Sequence, residues 1–235
     1  MEIIPVIDVR HGHAVRAIAG DRANYAPIET PLSPSSDPAA VAAGLLALYP
    51  FKTLYIADLD AIEGRGANAG LLQQFAASFP STQLWIDSGA RSDRVVKQVI
   101  SQPRTTAVIG SETGITAGEL CALKTSSAGR IVLSLDFAAG GAALGDPDVH
   151  GDPACWPGSI IAMTLGRVGG AAGPDVNRLR SLREIHPGHV FAAGGIRHRA
   201  DLDAVRALGA SGALISTALH AQTITAADLD EISGR

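Results

Sequence analysis

The chain reads as a single (β/α)8 barrel spanning residues 1–235, on three observations. Eight short apolar runs recur along it, each bounded by Gly, Asp or Pro, and most are separated by amphipathic stretches of helical length. A second half echoes the first at a fixed offset. The composition, 46% apolar and 18% charged over 235 residues, is enough for a sizeable core and ordinary for a globular domain.

The runs are "IIPVID", "TLYIAD", "LWID", "TAVIG", "IVLSLD", "IIAMTL", "HVFAAGG" and "GALIS". Continuous apolar runs of this length suit strands covered on both faces, as in a parallel sheet. Between them, "DPAAVAAGLLALYP" offers Asp37 as a helix cap with Pro38 at the first helical position. "SDRVVKQVISQP" offers Ser92 as a helix cap and is closed by proline, and "HRADLDAVRALGA" ends at Gly209. Alternation alone also fits an open doubly wound sheet. The echo decides for the barrel: "DSGARS" matches "AGGIRH" with Arg197 standing 106 positions after Arg91, and Gly110 matches Ser216 at the same offset. Two half-barrels, about 1–128 and 129–235, account for this, whereas an open sheet gives no reason for it. The span "AAGGAALGDPDVHGDPACWPGS" is too rich in Gly, Pro and Asp for a normal helix, so the fifth helix is expected to be missing or vestigial.

Composition excludes some functions. A formal net charge of −4 argues against general nucleic-acid or membrane-surface binding. Cys121 and Cys155 form no ligand-like cluster, so neither a disulfide framework nor a zinc site is expected. "MEIIPVIDV" begins in a strand-like run without a basic leader, which points to a cytoplasmic protein. No metal is assigned: His11 and His13 read as a loop extension, and Asp146, Asp148, His150 and Asp152 as turn residues. No cofactor is expected, and the oligomeric state is not legible. Lys52, Lys97 and Lys124 fall away from strand ends, which sets aside Schiff-base chemistry. Trp156 reads as a plug at the edge of the sixth strand.

In a barrel, the residues that end the strands face the active site, and phosphate commonly sits beside the seventh and eighth βα loops. Gly194 and Gly195 in "AAGGIR", with Ser216 and Thr217 in "ISTALH", occupy those loops. Their backbone N–H groups would suit an anion, although adjacent glycines also serve a plain tight turn. Gly89, Gly110 and Ser111 are the first-half counterparts. Asp8 and Asp136 end symmetric strands and offer two carboxyls on opposite sides of one mouth, the equipment for proton transfer in both directions.

These same segments, "IIPVIDVRHGHAVRAIAGD", "LYIADLDAIEGRGAN", "IVLSLDF", "GGAAGPDVNRLRSL" and "AAGGIR", resemble the ProFAR isomerase of histidine biosynthesis and its cyclase relative over nearly the whole chain. The resemblance implies a duplicated (β/α)8 barrel catalysing an Amadori rearrangement of a phosphorylated aminosugar, with Asp8 and Asp136 as general base and acid. Asp58 is either a substrate-binding residue or an anchor of the loop network. Thr164 and Arg167 in "MTLGRVGG" stand where the isomerase carries a Thr-Asp pair, and "DSGAR" puts Asp87 where the family has glycine. An anionic Asp87 would oppose a phosphate at the first-half loops, so binding at Gly89, Ala90 and Ser111 is expected to be weaker. Such departures look like those of isomerase-related proteins found with methanopterin- and methanofuran-type one-carbon cofactors. An enzyme on a smaller, singly phosphorylated substrate of that biosynthesis, or a non-catalytic phosphate-ligand binding protein, are the alternatives.

Overall fold

The computed structural model describes all residues except Ala19, Ala69 and Arg235. Eight parallel strands, β1 (Glu2–Arg10), β2 (Thr53–Asp58), β3 (Gln83–Asp87), β4 (Thr105–Gly110), β5 (Ile131–Phe137), β6 (Ser159–Thr164), β7 (His189–Ala193) and β8 (Gly212–Ile215), pair in sequence order. β1 also pairs in parallel with β8, from Glu2 opposite Gly212 to Pro5 opposite Ile215, and this closes the barrel. A three-residue strand, His13–Val15, folds back antiparallel on β1 with Val15 opposite Asp8.

Among the described residues, the helices longer than four residues are α1 (Pro38–Leu48), α2 (Leu71–Ser78), α3 (Asp93–Ile100), α4 (Ala117–Ser126), α5 (Pro147–Gly151), α6 (Val176–Ile185), α7 (Arg199–Ala207) and α8 (Ala226–Ser233). α1 starts as its sequence dictates: the Asp37 carboxylate accepts from the Ala40 N–H at 2.8 Å, with Pro38 in the first turn. Ser92 stands at the start of α3 in extended conformation, but its side chain caps nothing, a correction to its expected role. Gly209 follows α7 at φ +76°, the left-handed position that ends a helix.

The fifth unit is vestigial, as composition demands. α5 is five residues long and is followed by a single 3-10 turn, Pro153–Cys155. Asp146 and Asp152 accept from the N–H groups of Asp148 and Ala154, which is turn chemistry. Trp156 is 2% exposed and donates from Nε1 to the Val149 carbonyl at 2.7 Å, so it plugs this crossover. The cysteine expectation is overturned here. Cys121 on α4 and Cys155 form a disulfide, with 4.7 Å between their Cα atoms, that ties the irregular crossover to the preceding helix. The pairing arises because α4 packs against the 3-10 turn, a contact that spacing does not reveal.

Two apolar layers hold the barrel. The outer one fills the space between strands and helices, where Leu45, Phe75, Leu120, Leu202 and Leu229 are fully buried. The inner layer takes one residue from each strand: Ile4, Tyr55, Trp85, Val108, Val132, Ile161, Phe191 and Leu214. Trp85 and Phe191, from diametrically opposed β3 and β7, meet edge to face at 4.8 Å, so the interior is filled rather than open.

Candidate active site

Strand parity decides which rim residues reach the mouth. Side chains alternate along a strand, so two steps beyond an inward residue is inward again. Ile4 and Val6 face in, which points Asp8 inward; Trp85 does the same for Asp87, and Val132 and Ser134 for Asp136. Tyr55 and Ala57 face in on β2, so Asp58 points out, and Met163 on β6 likewise turns Thr164 away.

A cavity of about 280 Å³ opens at the carboxyl end of the barrel. Asp8, Asp87 and Asp136 line it together with Arg22, Tyr55 and Glu112. Gly194, Gly195, Ser216 and Thr217 line it as well. Among the described residues, no bond is formed by the backbone N–H groups of these four.

Asp136 is 4% exposed and well supplied with donors. The hydroxyls of Ser134 and Ser111 donate to it at 2.7 and 3.2 Å, and the Glu112 N–H at 3.1 Å. Gly110 matters here, because a Cβ at that position would lie 3.3 Å from Asp136 Oδ2. The Asp8 carboxyl accepts no hydrogen bond among the described residues and faces the charge of Arg22. Burial raises both carboxyls to about 7; for Asp8 Arg22 works against that rise, and for Asp136 the Ser134 hydroxyl does. Asp87 is raised to about 6, again by burial, against donation from Gly89 N–H at 3.1 Å and from the Tyr55 hydroxyl at 2.9 Å. Burial and the adjacent Asp87 push the Tyr55 hydroxyl well above its usual value. Arg22 reaches over the mouth to pair with Glu112.

Several sequence-predicted residues lie elsewhere. Asp58 caps the short helix Leu59–Ile62 by accepting from Ala61 N–H, and it accepts twice more from Asn68. It therefore anchors the loop network and does not line the mouth. Thr164 donates to Asp175 at 3.4 Å, and Arg167 donates to the carbonyls of Gly173 and Pro174 at 2.8 and 3.0 Å. Gly89 packs against the chain at Ile62 and Ser111 is fully buried, and neither they nor Gly110 line the cavity. Gly194 and Gly195 sit at φ +91° and +79°, and a Cβ on the first would come 2.7 Å from the Thr164 carbonyl oxygen. A Cβ on the second would overlap the Gly173 carbonyl. Backbone packing alone thus demands both glycines. Arg22, Glu112 and Tyr55 escaped sequence reasoning; the first two sit in loops with no periodic signal.

The structure is a closed barrel with opposed carboxyls and unpaired loop amides at its carboxyl rim, the rim at which barrel enzymes carry their sites. The family model described as "Histidine biosynthesis protein" matches residues 2–225, and the chain belongs to that family. It is 30% identical over 238 residues to an uncharacterized protein of Methanocaldococcus jannaschii, covering 99% of this chain and 97% of that one. It is 30% identical over 245 residues to the 1-(5-phosphoribosyl)-5-((5-phosphoribosylamino)methylideneamino) imidazole-4-carboxamide isomerase of Listeria monocytogenes, covering 99% and 98%. The same isomerase of Myxococcus xanthus is 27% identical over 231 residues, 94% of each chain. No helix among the described residues is long and apolar enough to cross a membrane.

Proposed function

We propose that this chain is an isomerase of the acid–base type, acting on a phosphorylated aminosugar, with Asp8 and Asp136 transferring protons and Gly194, Gly195, Ser216 and Thr217 holding the phosphate. The observation that carries the reading is the joint placement of two carboxyls from opposite strands, Asp136 buried and Asp8 half-buried, and four unpaired loop amides around one cavity. The names of the Listeria and Myxococcus relatives support an isomerase.

Conversion of an aminoaldose to an aminoketose needs one group to protonate the ring oxygen as the ring opens and another to remove the proton from C2. Each of two carboxyls titrating near 7 supplies both protonation states at neutral pH. The donors around Asp136 favour its ionised form, and Asp8, which has none, is the readier acid in the resting site. That is the reverse of the roles the resemblance implies, so the pair, rather than either member, is assigned. A second reading is favoured by Asp87: its carboxyl in the cavity suits a smaller, singly phosphorylated substrate, such as an intermediate of one-carbon cofactor biosynthesis, better than a bisphosphate.

The test is turnover of the histidine-pathway aminoaldose first and of smaller aminosugar phosphates second. On the accepted substrate, Asp8→Asn and Asp136→Asn should each cost roughly 100- to 10,000-fold in kcat. Phosphate affinity, read by calorimetry, should stay within about threefold of wild type, since neither carboxyl holds the anion. Robust turnover of the bisphosphate would refute the second reading. Unchanged turnover in both variants would move the protein to the non-catalytic ligand-binding class.

A further inference from the structure

The cavity has two axes, set by strand order. β1 and β5 stand four strands apart and carry Asp8 and Asp136. β3 and β7 are also four apart and carry Asp87 on one side and the Gly194–Gly195 loop on the other. A ligand lying along the second axis passes between the two carboxyls of the first.

The ends of that second axis are chemically opposite. Residues 106 positions apart occupy equivalent places in the two halves, which sets Asp87 against Ala193 and Tyr55 against Ile161. The β7 side is therefore small and apolar beneath its unpaired amides. At the equivalent place on the β3 side, a carboxyl is held by a tyrosine hydroxyl. Part of the donor set that would serve an anion on the β3–β4 side is spent on the protein's own carboxyls, and among the described residues the Ala90 and Ser111 N–H groups are left over. Gly89 N–H donates to Asp87, and both the Ser111 hydroxyl and the Glu112 N–H donate to Asp136. Arg22 is the cation there, and Glu112 neutralises it. The other cation of the cavity, Arg197, belongs to the β7 loop and is held by Asp201 at 2.9 Å. Neither Asp87 nor Asp8 forms an ion pair among the described residues, the charge of Arg22 being shared with Glu112, and the Asp8 carboxyl accepts no hydrogen bond there.

We propose that the ligand of this cavity carries a phosphate at the β7–β8 side and a basic nitrogen at the β3 side, with Asp87 as the residue that reads the nitrogen and excludes a second phosphate. This rests on the phosphate assignment made above and adds the chemistry of the other end. Asp87 acts here as a specificity-determining residue: an ammonium donates to its carboxylate, and a second anion meets like charge.

The experiment is calorimetry on the full chain with three probe series of graded length: ω-aminoalkyl phosphates, hydroxyalkyl phosphates and α,ω-alkane bisphosphates. At its best length the amine should bind about 10-fold or more tightly than the matching alcohol, and the bisphosphate should bind most weakly. Asp87→Asn should bring amine and alcohol within about threefold while inorganic phosphate binds as before. Equal affinity of amine and alcohol across the series, or tightest binding of a bisphosphate, overturns the proposal, and the wild-type series decides this even if the variant does not fold. Failure of inorganic phosphate to bind overturns the phosphate assignment instead. In that event, alkylamine binding that Asp87→Asn abolishes still upholds the basic-nitrogen end, and its absence removes that end too.

Discussion

Asp8→Asn should make the protein more stable at neutral pH while removing turnover. The Asp8 carboxyl is raised from 3.8 to about 7 by burial, offset by Arg22 and reinforced by Asp87. The folded state therefore holds the proton more tightly than the unfolded chain, and stability falls as pH rises between those two values. Below about 4 both states are protonated and nothing is lost; above about 7 the loss is complete. A shift of that size corresponds to about 4 kcal/mol as an upper bound, since one unit is about 1.4 kcal/mol. Asparagine cannot ionise, so it recovers that loss, less about 1–3 kcal/mol for an amide without hydrogen-bond partners. A net gain of about 2 kcal/mol is expected at pH 8 and a net loss of about 1–3 kcal/mol at pH 4, where there is no ionisation loss to recover. Urea denaturation of wild type and variant at both pH values measures it. A variant equally stable at pH 8, or one whose gain is the same at both pH values, would refute the claim that burial strains this carboxyl. Loss of turnover together with that gain would show stability given up for a proton-transfer group.

Reducing the Cys121–Cys155 disulfide, which spans 34 positions, should lower stability by about 2–4 kcal/mol, read as a lower Tm with reductant or in Cys155→Ser. Alkylation of the unreduced, denatured chain that labels both thiols would show the bond absent. Gly195→Ala should cost at least about 2 kcal/mol by denaturation, because its φ of +79° is left-handed and the new methyl overlaps the Gly173 carbonyl. Gly118→Ala in α4, where a Cβ meets nothing within 4 Å, should instead stabilise by about 0.5–1 kcal/mol.

The barrel was legible because its signals are local. Eight apolar runs, Pro38 beside Asp37, and the Gly/Pro/Asp density before Ser159 each act within a few residues, and the structure follows them. The site was legible in part, for a reason that lies in the same runs. Strands covered on both faces read as continuous apolar segments, and such segments hide which parity faces inward. "TLYIAD" gives no sign that Asp58 turns out of the mouth while the aspartate of "LWID" turns into it. Once Tyr55 and Trp85 are seen in the interior, the alternation places both aspartates. The pairing of Arg22 with Glu112 has no such rule. The two stand 90 positions apart in loops that meet over the mouth only because the barrel has closed.

That closure also changes what Asp87 means. In the sequence it stands as a fault in an otherwise duplicated phosphate loop. In the barrel it is a buried carboxyl whose partners, Tyr55 and the Gly89 N–H, come from its own wall. Its charge raises both Asp8 and Asp136. Losing it alone should therefore lower both of those carboxyls, moving the pH dependence of turnover to more acid values while leaving the loop amides of β7 and β8 untouched. A mere defect in a phosphate loop would shift affinity and leave the pH profile where it was. The direction of the Asp87→Asn pH profile therefore separates a carboxyl that belongs to the working site from one that only spoils a binding loop.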